Sequence, residues 1–203
     1  MSGTMVASWN PEEVLPLSFY ERETTLVAKE LLGHYLFHRH PEGMVAGRIV
    51  ETEAYLGQND PACHSCRGIT PRCKSMFGTA GRIYVYIIYG MYYCFNITTD
   101  MPEVPAAVLI RALEPVEGIE IMRKRRGKNK LRDLCSGPGK LATAMGFDKT
   151  FDGQSLLTGP VGVSPGKLSP EERIITAPRI GISKAVDWPL RFYLAGNQFV
   201  SKK

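Results

Sequence analysis

The stretch 83–95 is the longest apolar run in the chain, and it carries five tyrosines and a break at Gly90. It is too short to cross a membrane as a helix, which takes ~20 apolar residues. Tyrosine, isoleucine and valine suit a pleated, half-buried surface. The run 82–98 is therefore expected as one long strand or as two strands around Gly90, and a sheet must organise the chain. Two further strand-like runs precede it, 34–38 and 44–55. Pro41-Glu42-Gly43 between them is turn chemistry and predicts a hairpin. A buried strand is expected over 106–113, closed by Glu114-Pro115. In the Pro- and Gly-richer C-terminal third, 191–195 reads most clearly as a strand.

Helical signals fall between these runs. Ser18-Phe19-Tyr20-Glu21 has the pattern of a capping box. Leu26, Val27, Leu31 and Leu32 recur at helical spacing, so a helix is expected over about 19–32, ended by Gly33. A second helix is expected over 117–126, with basic residues at its C-terminal end where they suit the helix dipole. Ser136-Gly-Pro-Gly-Lys140 leads into a third, ending near Gly146. Hairpin strands with interspersed helices predict an α+β fold, a single compact domain with a mainly antiparallel curved sheet and surrounding helices. The length of 203 residues is about one domain, and no repeat or linker divides it. We expect residues 1–16 as a poorly ordered extension and 17–203 as the domain. Residues 1–15 do not have the form of a signal peptide, so a cytoplasmic location is expected by default.

The net charge of +5 is local. The window 123–132 holds seven of the 25 basic residues and no acid, which leaves 18 basic against 20 acidic residues elsewhere. Such a cluster is either an electrostatic footprint for a polyanion or a solvated helix end. The five cysteines, without a secretion signal, argue against a disulfide framework. Cys63, His64, Cys66 and Cys73 crowd together with partly zinc-like spacing, but Cys73 has no close partner. Reduced thiols are the simpler reading.

Along the strand 44–55 side chains alternate, which places Glu51, Glu53 and Tyr55 on one face. Two carboxylates on one strand face fit a salt-bridged strand end, a metal-binding acidic pair of the kind nucleases use, or a general base with a structural neighbour. Tyr84, Tyr86, Tyr89, Tyr92 and Tyr93 fit half-buried sheet positions or a platform for unpaired bases. Arg111, inside an apolar strand, needs an anion: Glu51 or Glu53 within the fold, or a phosphate outside it.

The runs Arg48-Ile-Val-Glu-Thr-Glu-Ala-Tyr-Leu-Gly57, His64-Ser65, Arg82-Ile-Tyr-Val-Tyr-Ile-Ile-Tyr-Gly-Met-Tyr92, Leu109-Ile-Arg-Ala-Leu-Glu-Pro115, Ser136-Gly-Pro-Gly-Lys-Leu141 and Pro178-Arg-Ile-Gly181 resemble the alkyladenine (3-methyladenine) DNA glycosylase family. The likeness extends in order over about 17–201. It implies a DNA repair enzyme that flips alkylated or deaminated purines (3-methyladenine, 7-methylguanine, hypoxanthine, etheno-adenine) out of duplex DNA. An activated water then cleaves the glycosidic bond and leaves an abasic site, with no cofactor or metal.

By position, the resemblance assigns Glu53 to water activation, with Arg111 and the carbonyl of Ile180 as water-holding partners. Tyr55 becomes one wall of the base pocket, with His64 and Tyr86 opposite. Asn96 crowds the 2-amino group of guanine, and Tyr89, with Met91, enters the DNA stack. The His64 amide is a candidate donor to a departing neutral base. Arg125, Arg126, Lys128 and Lys140 are expected on phosphates, with Arg191 a further candidate. The matched motifs contain no suitably placed lysine nucleophile, which implies a monofunctional enzyme without lyase activity. The expected partner is double-stranded DNA containing a damaged purine, without a membrane, and the enzyme is expected as a monomer on chromosomal DNA (nuclear if eukaryotic). Cys63, Cys66 and Cys73 depart from the small or polar residues expected there, which leaves a metal or redox feature open. A metal-dependent nuclease using Glu51 and Glu53, and a non-catalytic nucleic-acid-binding module, stand as alternatives.

Overall fold

The strand 44–55 takes the centre of the molecule. In the computed structural model, which describes residues 9–202, this strand is β2 (Gly43–Tyr55). It pairs antiparallel with β1 (Tyr35–His40) through the expected hairpin, with β5 (Ala106–Glu117) on its other side, and with β8 (Arg191–Leu194) over Glu51–Glu53. The run 82–98 divides at Gly90 into β3 (Ile83–Ile88) and β4 (Tyr92–Thr99), a second hairpin that joins the sheet through β5. β6 (Val161–Ser164) extends β1 on the far edge, and β7 (Ile174–Ala177) pairs with β8. Among the described residues every strand pair is antiparallel, in one curled sheet of order β3-β4-β5-β2-β1-β6 with β7 and β8 branching from β2. The α+β expectation holds. No helix among the described residues is long and apolar enough to cross a membrane.

The two faces of β2 do different work. Val50 and Ala54 enter the main core with Val27, Ala28 and Leu31, and the Thr52 hydroxyl donates to the Ala28 carbonyl at 2.7 Å. Glu51, Glu53 and Tyr55 lie on the other face, as the alternation requires.

Local chemistry shifts several expected boundaries. The helix expected over 19–32 is two pieces, α1 (Leu17–Tyr20) and α2 (Thr24–Glu30). Ser18 is not the cap. The Glu23 carboxylate accepts from the Thr25 and Leu26 amides at 2.9 and 2.8 Å and starts α2 there. β5 does not close at Glu114-Pro115 but runs on to Glu117. Pro115 sits opposite Gly47 at a register shift, the kind of irregular position at which a strand tolerates proline. Helix α3 (Ile119–Arg126) begins two residues later than expected, because Glu117 ends β5 and Gly118 turns the chain in the left-handed region. Helix α5 (Pro138–Met145) matches expectation, both helices end at left-handed glycines, and a short α4 (Arg132–Cys135) lies between them. Part of the expected N-terminal extension, 1–8, and the end of the domain at 203 lie outside the described residues. Residues 9–16 are held rather than loose: Trp9 stacks on Tyr35, and buried Leu15 donates its amide to the Val163 carbonyl at 2.9 Å.

Candidate active site

At Arg111 the β2–β5 pairing departs from regular register. Glu51 faces Ala112 and Thr52 faces Ile110, so Arg111 has no opposite residue on β2 and forms a β-bulge. Bulges re-aim side chains, and this one brings the buried guanidinium to both carboxylates. Nε lies 3.3 Å from Glu51 Oε1, and Nη1 lies 3.3 Å from Glu53 Oε2. Glu51 also accepts from Arg191 Nη1 at 3.0 Å and from the Ser201 amide at 2.8 Å. Glu53, fully buried, accepts from the Tyr55 hydroxyl at 3.0 Å and from the Ile180 amide at 2.7 Å. The internal partner expected for Arg111 is thus both glutamates. Burial pushes the Glu53 carboxyl above its usual range against the opposing pull of Arg111, the Ile180 amide and the Tyr55 hydroxyl.

Beside this cluster opens a cavity of about 600 Å³. Tyr55, His64, Tyr86, Tyr89, Asn96, Arg111 and Ile180, separated by up to 125 positions in sequence, all line it. The His64 ring stands edge-on to Tyr86 with centroids 4.5 Å apart, and its Nδ1 lies 2.8 Å from the Tyr84 hydroxyl. Burial, aided by the nearby Arg72 charge, pushes its pKa down to about 4, so the imidazole is neutral at physiological pH. His64 opens the 3-10 turn His64–Arg67, so its own amide precedes the first bond of the turn. Asn96 is buried, and its amide group donates to the Tyr84 and Cys94 carbonyls at 3.0 and 3.3 Å. This fixes the side-chain orientation, with the carbonyl oxygen accepting from no donor among the described residues. At the rim, Tyr89 is 82% exposed and Met91 stands beside it, also exposed.

A buried ion pair holds the cavity's second wall, and sequence reasoning missed it. Arg179 grips Asp60 with both terminal nitrogens, donates to the Ala54 carbonyl at 3.0 Å and lies 4.6 Å over the Tyr55 ring. Asp60 in turn accepts from the Leu56 and Ala62 amides. The pair therefore fixes Tyr55 and sets the next residue, Ile180, so that its amide meets Glu53. It is this amide that contacts the carboxylate. Arg67, at the end of the 3-10 turn His64–Arg67, and Arg72 and Lys184, in loops, also line the cavity, single basic residues with no periodic signal to announce them.

The basic window sits differently from expectation. Arg125 is committed to a clip: it bonds Glu42 at 2.9 Å and the Ala144 carbonyl at 3.2 Å, tying α3 to the β1–β2 turn and to α5. Arg126 turns toward the Asp133 carbonyl at 3.4 Å. Neither lines the cavity. Lys128 and Lys140 are exposed, and Lys140 follows Pro138 and Gly139, which do line it. Arg191 is buried on Glu51 and on the Pro178 and Lys202 carbonyls, which removes it as a phosphate contact. The cysteines are free thiols. Cys63 and Cys73 pack in a small apolar cluster with Met76, Tyr84 and Ala107 beneath the cavity. Among the described residues no three His, Cys, Asp or Glu side chains gather as a metal set.

Comparison with known proteins finds relatives over nearly the whole chain. A family model described as methylpurine-DNA glycosylase matches residues 18–198. A protein of Methanoculleus marisnigri is 51% identical over 193 residues, covering 93% of this chain and 99% of that protein. One of Carboxydothermus hydrogenoformans is 48% identical over 191 residues, covering 94% and 100%. One of Chlorobaculum tepidum is 46% identical over 189 residues, covering 93% and 90%. All three carry the provisional name of 3-methyladenine DNA glycosylase.

Proposed function

The chain belongs to the methylpurine-DNA glycosylase family, and from that premise we propose that it excises alkylated and deaminated purines from duplex DNA as a monofunctional, monomeric hydrolase. Membership makes it a DNA glycosylase of base-excision repair. The observation that carries the finer reading is the buried Glu53 carboxylate, held by Arg111, the Tyr55 hydroxyl and the Ile180 amide beside an aromatic-walled cavity.

A purine inside a duplex hides its glycosidic bond, so the nucleotide must be extruded at a cost of a few kcal/mol, less when the base is damaged. Tyr89, exposed on its turn with Met91, fills the gap in the stack. Tyr55 and the Tyr86–His64 pair receive the base, and Asn96 rejects guanine by crowding its 2-amino group. A carboxylate offers about four lone-pair sites. The Tyr55 hydroxyl occupies one site on Oε2, beside the Arg111 charge, and the Ile180 amide one on Oε1, which leaves acceptor capacity on Oε1. A water bound there, steadied by Arg111 and the Ile180 carbonyl, attacks the sugar while Glu53 takes its proton, an effect typically worth ~10²–10⁴-fold. The carboxylate also opposes the positive charge that develops on the sugar, as in glycoside hydrolysis. The His64 amide donates to a neutral base as it leaves.

Glu51 is held by Arg111, Arg191 and the Ser201 amide, and Glu53 by Arg111, the Tyr55 hydroxyl and the Ile180 amide, which supports this reading over a nuclease that would share a cation between the two carboxylates. The lysine at the cavity, Lys184, is exposed at the rim, and we assign it no covalent role. The test is single-turnover base release from a duplex containing hypoxanthine, with EDTA present. The wild type should release free base and leave an abasic strand that breaks only with alkali, and borohydride should trap no protein–DNA adduct. Glu53→Gln should lose at least ~100-fold in rate. A mutant as fast as the wild type would remove Glu53 from the chemistry; loss of the wild-type activity in EDTA would favour the nuclease.

A further inference from the structure

Arg72 faces the cavity with no role in the chemistry above. It lies between the 3-10 turns His64–Arg67 and Lys74–Phe77. Its guanidinium carbon is 4.9 Å from the centroid of the Tyr86 ring, and Nη2 donates to the Ile87 carbonyl at 3.3 Å. Among the described residues it makes no ion pair, and the rest of its donor fork is uncommitted. Its charge is felt inside the cavity, at His64 and at Cys94.

We propose that Arg72 sets the lesion preference of the site: its fork donates to the O6 and N7 edge of a neutral deaminated purine, and its charge disfavours a purine that is already cationic. The inference rests on reading the cavity as the damaged-base site. Arginine pairs bidentately with the O6 and N7 acceptors of guanine, and hypoxanthine presents the same two acceptors. Adenine puts a donor at the 6 position and does not match. In 7-methylguanine the methyl group occupies N7 and the ring is positive, so the fork loses one acceptor and meets a like charge. Because guanine shares the O6/N7 edge, Arg72 does not replace Asn96 as the guard against it.

The leaving group makes the same distinction. When the glycosidic bond breaks, its electron pair goes to N9. The oxygen of water bonds to the sugar carbon and its proton passes to Glu53. Hypoxanthine then departs carrying negative charge spread over N9, N7 and O6, and takes a proton from solvent after release. A fixed guanidinium at O6 and N7 stabilises that charge as it develops. A 7-methylguanine cation leaves as a neutral molecule and gives Arg72 nothing to stabilise.

The experiment compares single-turnover release of hypoxanthine and of 7-methylguanine from otherwise identical duplexes by the wild type, Arg72→Gln and Arg72→Lys. Arg72→Gln should shift the ratio of the two rates about tenfold or more toward 7-methylguanine. Arg72→Lys should fall between, because a point charge keeps the repulsion and loses the fork. The His64 titration followed by NMR should move to higher pH in Arg72→Gln, which also shows that the variant is folded. If the wild type releases both bases while the ratio or the His64 titration stays put in Arg72→Gln, the role of Arg72 falls and the glycosylase reading survives. Release of neither base by the wild type overturns both.

Discussion

The Arg111 charge and two hydrogen-bond donors, the Tyr55 hydroxyl and the Ile180 amide, converge on Glu53, and each favours its ionised form, while burial favours the acid and prevails. A base must be ionised to accept a proton, so base release should rise with pH through a limb placed above the usual glutamate range. The Tyr55 hydroxyl is the donor that can be deleted with the least disturbance. Tyr55→Phe keeps the ring that stacks on the base and removes one hydrogen bond to the carboxylate. Without that bond the ionised form is less favoured and the pKa rises further. The acid limb of the single-turnover rate should therefore move to higher pH in Tyr55→Phe. The plateau above it should fall by about tenfold or less, the scale of one hydrogen bond. A limb that stays in place, or moves to lower pH, would show that Glu53 is not the titrating group. Legibility differs among these residues. Strand alternation placed Glu53 and Tyr55 on one face. Nothing local ties Asp60 to Arg179, 119 positions away, and that pair presents both Tyr55 and the Ile180 amide.

At the scale of elements, the β3–β4 hairpin trades stability for reach. The Met91 amide donates to the Ile88 carbonyl at 3.3 Å, and both central residues are left-handed, Tyr89 at φ 54° and Gly90 at φ 68°. This is a type I′ turn, which favours Asn-Gly. A tyrosine held there costs roughly 1–2 kcal/mol, and it is the residue proposed to enter the DNA stack. Tyr89→Asn should therefore raise the melting temperature of the free protein by a few degrees, since ~1 kcal/mol shifts a domain of this size by ~2–4 °C. The same substitution should slow base release from duplex DNA and slow it less from a single strand, where no gap needs filling. A lower melting temperature would contradict the strain, and an unchanged duplex rate would contradict the wedge. The break at Gly90 made this hairpin legible, as turn residues made the β1–β2 hairpin legible. The bulge at Arg111 was not, because it appears only when β5 is laid against β2. The cap at Glu23 was missed for a different reason: the nearby Ser18 pattern competes with it, and only the backbone path shows which side chain reaches free amides.

For the whole molecule, the sequence locates the positive charge but not its partners. Within 123–132, Arg123 pairs with Glu120, and Lys124 and Arg125 pair with Glu42, so part of the window is compensated inside the fold. The charges left toward solvent and the cavity are dispersed, among them Lys128, Lys130, Arg132, Lys140, Arg67, Arg72 and Lys184. If DNA lies across the cavity with Tyr89 in its stack, Lys140, two residues beyond the cavity-lining Pro138, is placed to meet the backbone, and Lys128 extends the same charge. Each phosphate contact contributes ~0.9 to the slope of log affinity against log salt. Lys128→Glu combined with Lys140→Glu should therefore flatten that slope and weaken binding to damaged and undamaged duplexes alike, because phosphates carry no lesion information. Arg125→Glu should behave otherwise. It breaks the clip that joins α3 to the β1–β2 turn and α5, and it sets a second carboxylate against Glu42. The loss should be about 1–3 kcal/mol of stability, read as a drop of several degrees in melting temperature, with the salt slope preserved at temperatures where the variant is folded. A flattened slope with an unchanged melting temperature would return Arg125 to the DNA and place the interface on α3 rather than at the mouth of the cavity.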